Sequence, residues 1–499
     1  MSAYNFQQIY GISLGLLTDM YQLTMAYGYW KSGIHEREAV FHWFFRKNPF
    51  DGGYTVACGL ETVIGYLQGF QFSQEDITYL ASMKGVDDEP LFEKAFLQYL
   101  KTLSLTCHVD AVPEGTVVFP QEPLLRVQGP LIQCQLLETS LLNLLNFPTL
   151  IATKAARVHY AAQGNEILEF GLRRAQGIDG ALTASRAAYI GGCAATSNVL
   201  AGKLFGIPVK GTHAHSWVMS FDDELGAFEA YAKAMPNNCV FLVDTYDTLQ
   251  GVKRACQIGH WLRKQGHRLL GIRLDSGDLA YLSIQARRIL DEEGFLDARI
   301  LASNDLDEHI IKSLKEQGAK IAVWGVGTKM VTAYDQAALG GVYKLSAMKN
   351  SAGRWKNKIK LSEQSVKISN PGIQQVRRYH TADENIADVI FDISTDMSHG
   401  CTIVDPWDMT RQKTMSRKES YEDLLVPVFK NGRCVYELPD IHTIRKRTFD
   451  QLARFHAGVK RFENPHQYPV GLEKSLFDLK TRLILQIRGH APGVVPQEE

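Results

Sequence analysis

From residue 150 onward, short apolar runs alternate with amphipathic stretches. The runs fall at 166–170, 207–210, 240–243, 269–274, 300–302, 320–323 and 342–345. Between them apolar positions recur at helical spacing over 151–163, 185–204, 222–235, 247–265, 278–293 and 306–317. Continuous apolar strands separated by such helices predict a parallel sheet covered on both faces. About seven units favour closure into a TIM-like α/β barrel over residues 150–346 rather than an open sheet.

The first 149 residues have a different grammar. The pattern predicts a helix over 16–32, with Thr18 or Asp19 as its N-cap and Gly33 as its stop. Tyr21, Met25 and Tyr29 share one face of it by i, i+4 spacing, which reads as core packing. A strand at 39–46 follows, then helices at 58–69, 74–82 and 89–102. Strands at 108–112, 116–119 and 124–128 lead to a helix over 131–146 that ends before Pro148. After 346 come polar strand candidates at 358–361, 376–380, 401–404 and 425–429. Together these predict an α+β layered sandwich domain built from both ends of the chain, 1–149 and 347–435. Residues 436–499 read as a helical segment, over 441–487, and a disordered tail.

Composition narrows the class. The chain has 499 residues, 45% of them hydrophobic, which is enough for a large core. Lys+Arg 54 balances Asp+Glu 54, so nothing in the charge points to nucleic acid or to an anionic membrane. None of the eight cysteines lies in a Cys-x-x-Cys pair. The N-terminus lacks a basic region followed by an apolar core, and the apolar stretch from 131 to 151 is broken by Gln133, Gln135, Glu138, Asn143 and Asn146. A cytoplasmic protein with no membrane span is the expectation.

The candidate chemistry sits where the predicted strands end. Those ends carry Glu169, Arg173 and Arg174; then Thr212, His213, His215 and Ser216; then Asp244 and Asp247; then Arg273, Asp275 and Asp278. Ser303-Asn304-Asp305 and Gly325-Val-Gly-Thr328 follow at the next two. In a barrel these ends ring one face, the face where such enzymes work. Arg173, Arg174 and Arg273 suit carboxylates or phosphates. Gly325, Gly327 and Thr328, opening toward a helix, and Asn304 suit an anion's oxygens. The aspartates suit orientation of a histidine or a hydrated Mg²⁺, although Asp247 and Asp278 also read as helix caps. His213-Ala-His215 leaves open a metal-dependent hydrolase, and a phosphosugar-binding regulator without catalysis is the reading from another class.

In this order, Leu17-Thr-Asp-Met-Tyr-Gln-Leu-Thr-Met25, Glu169-Phe-Gly-Leu-Arg-Arg-Ala-Gln-Gly177, Gly211-Thr-His-Ala-His-Ser216, Asp244-Thr-Tyr-Asp247, Arg273-Leu-Asp-Ser-Gly-Asp278 and Gly325-Val-Gly-Thr328 resemble the nicotinate phosphoribosyltransferase family. The resemblance implies an enzyme of NAD biosynthesis that joins nicotinate to 5-phosphoribosyl diphosphate, coupled to ATP hydrolysis through a phosphohistidine. It assigns that histidine to His215, braced by Asp244, and leaves His213 on a variable position. It implies nicotinate contacts from Tyr21, Thr212 and Arg273, joined by Arg174, and a phosphoribosyl diphosphate contact from Thr328. Mg²⁺ or Mn²⁺ is expected, with Asp275 as its ligand. A homodimer is implied in which each site borrows Tyr21 from the partner. The related nicotinamide enzyme carries an Asp-Phe-Gly-Tyr-Arg-Gly-type segment where this chain has Glu169-Phe-Gly-Leu-Arg-Arg174.

Overall fold

A computed structural model describes residues 9–489 as two compact units. Residues 9–149, 338–440 and 447–489 form the first; residues 150–337 and 441–446 form the second.

The second unit is built on a six-stranded sheet whose strands all run parallel. Their order is Ala195–Thr196, Glu166–Glu169, Val323–Val326, Arg299–Ala302, Gly271–Leu274 and Val240–Leu242. Aspartates start the intervening helices, because a carboxylate at the N-cap satisfies amides with no intrahelical partner. Asp223, Asp247, Asp278 and Asp307 each accept from a first-turn N–H. Asp247 and Asp278 are therefore caps.

Several sequence expectations need correction here. The run at 207–210 forms no strand; it makes a single parallel bridge, Val209 to Thr196. Pro208 has no N–H to extend a ladder. The run at 342–345 belongs to the other unit, within the strand Gly341–Lys349, so the division falls at 337 rather than 346. The predicted helix 185–204 is instead two, Gly177–Gly191 and Val199–Phe205, with the two-residue strand Ala195–Thr196 between them. Gly192 ends the first at φ 138°, a conformation that side chains oppose. No ladder joins the two outer strands of the parallel sheet among the described residues.

The first unit carries a seven-stranded antiparallel sheet in the order Trp355–Asn357, Gly341–Lys349, Glu38–Phe45, Leu125–Pro130, His108–Ala111, Val426–Lys430 and Arg433–Cys434. Chain ends and middle therefore share one sheet. A second six-stranded sheet gathers Gln374–His380, Asn385–Asp392, Cys401–Val404, Gln412–Met415, Ser420–Asp423 and Val470–Glu473. The last of these interrupts the stretch read as purely helical, which divides into Ile441–Ala453, Val470–Glu473 and Lys474–Ile487. The predicted strand at 358–361 lies instead at Trp355–Asn357. The predicted tail, 492–499, lies outside the described residues.

Pro148 does not end a helix; Glu138–Ala162 runs through it. Proline has no N–H to give the carbonyl of Leu144. Gly59 packs there so closely that a Cβ would stand 2.3 Å from that oxygen. The glycine fits the backbone where the helix lacks a bond.

The core of the second sheet holds an ionic knot. Arg378, fully buried, donates to both oxygens of buried Asp388, and Tyr468 donates to the same carboxylate at 2.9 Å. Glu122 lies against it, its Oε2 accepting from the Phe119 N–H at 2.8 Å and its Oε1 without a partner. Burial and then the Asp388 charge push the Glu122 carboxyl well above its ordinary value, which favours its protonated form. A raised carboxyl pKa gives stability that is complete below the unfolded value, near 4.5, and is lost as pH rises through the folded value. Glu122→Gln, a neutral analogue of the protonated acid, is expected to flatten the alkaline side of the thermal-midpoint-versus-pH curve. Thermal unfolding scans across pH check this; an unchanged slope would mean that Glu122 does not carry that proton.

Candidate active site

The C-terminal ends of the parallel strands enclose a cleft of about 290 Å³. Arg174, Thr212, Arg273, Asp275, Asn304, Gly325, Gly327 and Thr328 all line it. Sequence spacing thus brought eight expected residues to one place. His215 and Asp244 stand just outside the lining, and Tyr21 belongs to the other unit.

The centre is Asp275. Its Oδ1 accepts from Arg273 Nη2 at 3.0 Å and from the Ser303 hydroxyl, which also accepts from Arg273 Nε at 2.9 Å. Its Oδ2 lies 3.7 Å from His215 Nε2. Burial would raise the Asp275 carboxyl, but the Ser303 hydroxyl and the Arg273 charge outweigh it and hold it below the usual range. His215 opens the short helix His215–Met219, and its Nδ1 lies 3.1 Å from Thr245 Oγ1.

Asp244 does not brace His215 here. Its Oδ2 accepts from the Asp275 N–H at 2.8 Å and the Ser276 hydroxyl at 2.6 Å. The carboxylate thereby clips the turn that presents Asp275, and the histidine's acidic neighbour is Asp275 itself. Asp244 Oδ1 is buried and has no hydrogen-bond partner.

His213 is a core histidine. It is 7% exposed, its Nε2 accepts from the Leu242 N–H at 3.3 Å, and its ring meets Tyr231 edge-on with centroids 4.9 Å apart. Burial pushes it down to about 4, so it is neutral at physiological pH. With that nitrogen committed to the backbone, the His213/His215 metal pair is lost.

The Gly-rich segment also differs from expectation. A helix does open at Thr328, but Thr328–Val331 is one turn long. Any anion binding there rests on local N–H groups more than on a helix dipole. Gly325 is required by packing: a Cβ would stand 2.8 Å from the Phe170 ring. Asn304 and Asp305 both take positive φ, 95° and 41°, at the exposed lip of the cleft. Consecutive strained residues of this kind cluster where a ligand is held.

Phe170 and Ser197 are lining residues to which the sequence reading gave no role. Phe170 faces the Arg273 guanidinium at 5.7 Å. Ser197 follows the two-residue strand that was absorbed into a predicted helix. Its signal was Gly191-Gly192 followed by Asn198, a stop and then an N-cap whose side chain accepts from the Ala201 N–H at 3.2 Å.

Glu169, by contrast, turns inward. Fully buried, it accepts from the Gly171 N–H, from Ser185 Oγ at 2.8 Å and from Thr196 Oγ1 at 2.6 Å. One carboxylate ties together the loop bearing Arg173 and Arg174, a helix and an outer strand. Glu169→Gln puts an amide NH₂ where hydroxyl and amide donors point. Such a mismatch to a buried charged acceptor costs about 1–3 kcal/mol, an expected loss that equilibrium urea unfolding measures. No loss would mean that the carboxylate does not organise the loop.

Models of the nicotinate phosphoribosyltransferase N-terminal domain, family and C-terminal domain match residues 16–146, 166–380 and 373–480. A nicotinate phosphoribosyltransferase of Bacillus subtilis is 44% identical, with 97% of this chain and 98% of that protein aligned. The Homo sapiens nicotinate phosphoribosyltransferase is 34% identical over 92% of this chain and 95% of its own. A crystal structure of human nicotinic acid phosphoribosyltransferase superposes with a TM-score of 0.81 at 32% identity, covering 93% of this chain and 99% of that one. A nicotinate-nucleotide pyrophosphorylase from Pyrococcus furiosus, 22% identical, covers 89% and 96% with a TM-score of 0.69 and shares the mixed α/β fold. With matched segments spanning most of its length, the chain belongs to the nicotinate phosphoribosyltransferase family.

Proposed function

We propose that the chain joins nicotinate to 5-phosphoribosyl 1-diphosphate, giving nicotinate mononucleotide and diphosphate, and couples this to ATP hydrolysis through a phosphorylated His215. The observation that carries the reading is the single network in which Arg273, Ser303, Asp275 and His215 share one carboxylate at the cleft. It puts a nucleophilic imidazole beside an anion-binding arginine.

The nicotinate ring nitrogen attacks C1 of the ribose while diphosphate leaves, so positive charge grows on the sugar and negative charge on the leaving group. Arg173 and Arg174, both exposed at the cleft, supply fixed positive charge to the phosphates. Arg273 draws the carboxylate, and Phe170 offers its ring as one wall for the pyridine. Asn304, Gly325, Gly327 and Thr328 meet the phosphate oxygens. Mg²⁺ fits this donor set: Asp275 and the uncommitted Oδ1 of Asp244 are hard oxygen ligands, and a magnesium ion needs few protein ligands beside substrate phosphates. When bound it neutralises diphosphate charge. We read the parallel sheet as most of an irregular barrel, with 207–213 lying between its outer strands: Val209 bridges Thr196, and His213 meets Leu242.

His215→Ala is expected to abolish acid-labile labelling from γ-labelled ATP and the stimulation of nicotinate mononucleotide formation by ATP. His213→Ala keeps the label but lowers stability, because it vacates a buried aromatic contact. Equal labelling of wild type and His215→Ala refutes the phosphohistidine.

We further read the chain as a homodimer with shared sites. On the helix Met20–Lys31 the buried residues are Gln22, Leu23 and Ala26, whereas Tyr21 is 48% exposed. Tyr21, on a face expected to pack in this chain's core, is left exposed, while Met25 and Tyr29 beside it are half-buried. In a two-fold dimer a Tyr21→Ala chain paired with a His215→Ala chain restores one of two sites. Random mixing makes about half the dimers heterodimers, so co-expression should recover about a quarter of wild-type activity. Absence of recovery in isolated heterodimers means that Tyr21 serves its own chain.

A further inference from the structure

The larger cleft lies elsewhere. Within the first unit a cavity of about 810 Å³ opens beside the second sheet, well inside the range of small-molecule sites. Its charge is one-sided: Arg46, Lys47, Arg411, Lys413 and Lys480 line it against Asp51 and Asp405. Asp405 is already engaged, accepting the Trp407 N–H at 2.8 Å and lying 3.8 Å from Arg411.

Lys480 is the feature that needs explaining. It is 7% exposed, and its ammonium donates to one neutral acceptor, Asn370 Oδ1, at 2.8 Å. Asn370 is itself buried. An ammonium has three protons to place, and a buried one is ordinarily met by a carboxylate. Among the described residues none meets this one. Burial alone draws Lys480 down to about 8, leaving it mostly charged at neutral pH. Its other neighbour is the face of Trp407, with Nζ 5.5 Å from the ring centroid. That indole is 49% exposed, and Tyr468 lines the same cavity. A buried cation without a counter-ion, a half-exposed aromatic face and a surplus of positive lining converge on one space.

We propose that this cavity binds a second small ligand, a planar unsaturated ring bearing a phosphate or carboxylate, with Lys480 meeting the anion and Trp407 the ring. The match is chemical. The anion supplies the missing counter-charge in a site that is already desolvated, where a charge-assisted bond is strong. The ring covers an aromatic face otherwise left to water. None of the residues assigned to the reaction above lines this cavity.

The test uses the full-length protein. Lysines are methylated with limiting formaldehyde and borohydride, and modification at Lys480 is read by peptide mass spectrometry. The reaction runs alone, with AMP, or with benzoate. Protection of Lys480 is expected, by AMP if phosphate is the preferred anion and by benzoate if carboxylate is. Trp407→Ala, a change at a half-exposed ring, should raise the probe concentration needed by roughly five- to a hundredfold, the span of one stacking contact. Lys480→Met should weaken calorimetric binding of the protecting probe by roughly ten- to a hundredfold. Lys480 modification unaffected by either probe overturns the site. Protection that Trp407→Ala leaves unchanged overturns the planar ligand.

Discussion

The carboxylate of Asp275 is what the second unit's chemistry depends on. It touches Arg273 and Ser303 and reaches the neighbourhood of His215. Its position is fixed from behind by Asp244, which accepts its backbone N–H and the next hydroxyl. The acid therefore needs no help from substrate to find its place. A site organised before binding avoids spending interaction energy on ordering itself. Removing Asp275 would leave Arg273 without its ion pair and His215 without an acidic neighbour in the same stroke, so its loss is not separable into one role.

The scaffold serves that arrangement through strand ends. Arg273 and Asp275 follow from Gly271–Leu274, Ser303 from Arg299–Ala302, and Phe170 from Glu166–Glu169, three strands of one parallel sheet. Parallel neighbours bring their C-termini to the same edge. Between them the packing is close enough to dictate residue size. Gly271 admits no Cβ, which would lie 2.2 Å from the Arg299 carbonyl, and Gly325 admits none against Phe170. Buried Glu169 then secures the outer loop with three donors from three elements.

Most of this was legible because it is local. Apolar runs and capping aspartates are read within a dozen residues, so strands such as Gly271–Leu274 and helices such as Thr248–Lys264 fell within two residues of expectation. What escaped was non-local. The run at 342–345 has the apolar character of a parallel strand, yet it pairs with Glu38–Phe45, some three hundred residues away. The strand Ala195–Thr196 is too short to show a period. Pro148 looks like a stop, and only the approach of Gly59 shows how the helix tolerates it. Asp244 and Asp275 each end a strand next to the histidine's loop. Which of them faces His215 depends on how one turn is clipped to the other, and no spacing records that.

The balance of charge over the chain makes these local arrangements decisive. With Lys+Arg equal to Asp+Glu, no long-range field gathers anions, and charges more than about 8 Å apart are screened at physiological ionic strength. Attraction for phosphate must come from groups at the cleft itself. Arg173 and Arg174 are exposed there, whereas Arg273 is already paired. An anion that reaches Arg273 competes with Asp275 for it. The carboxylate, relieved of that partner, retains Ser303 and lies within 4 Å of His215. Its charge then faces the imidazole more fully at the moment that anion is in place. On the proposed function, one carboxylate shared between an arginine and a histidine links the anion to the imidazole, because what one partner gives up the other receives.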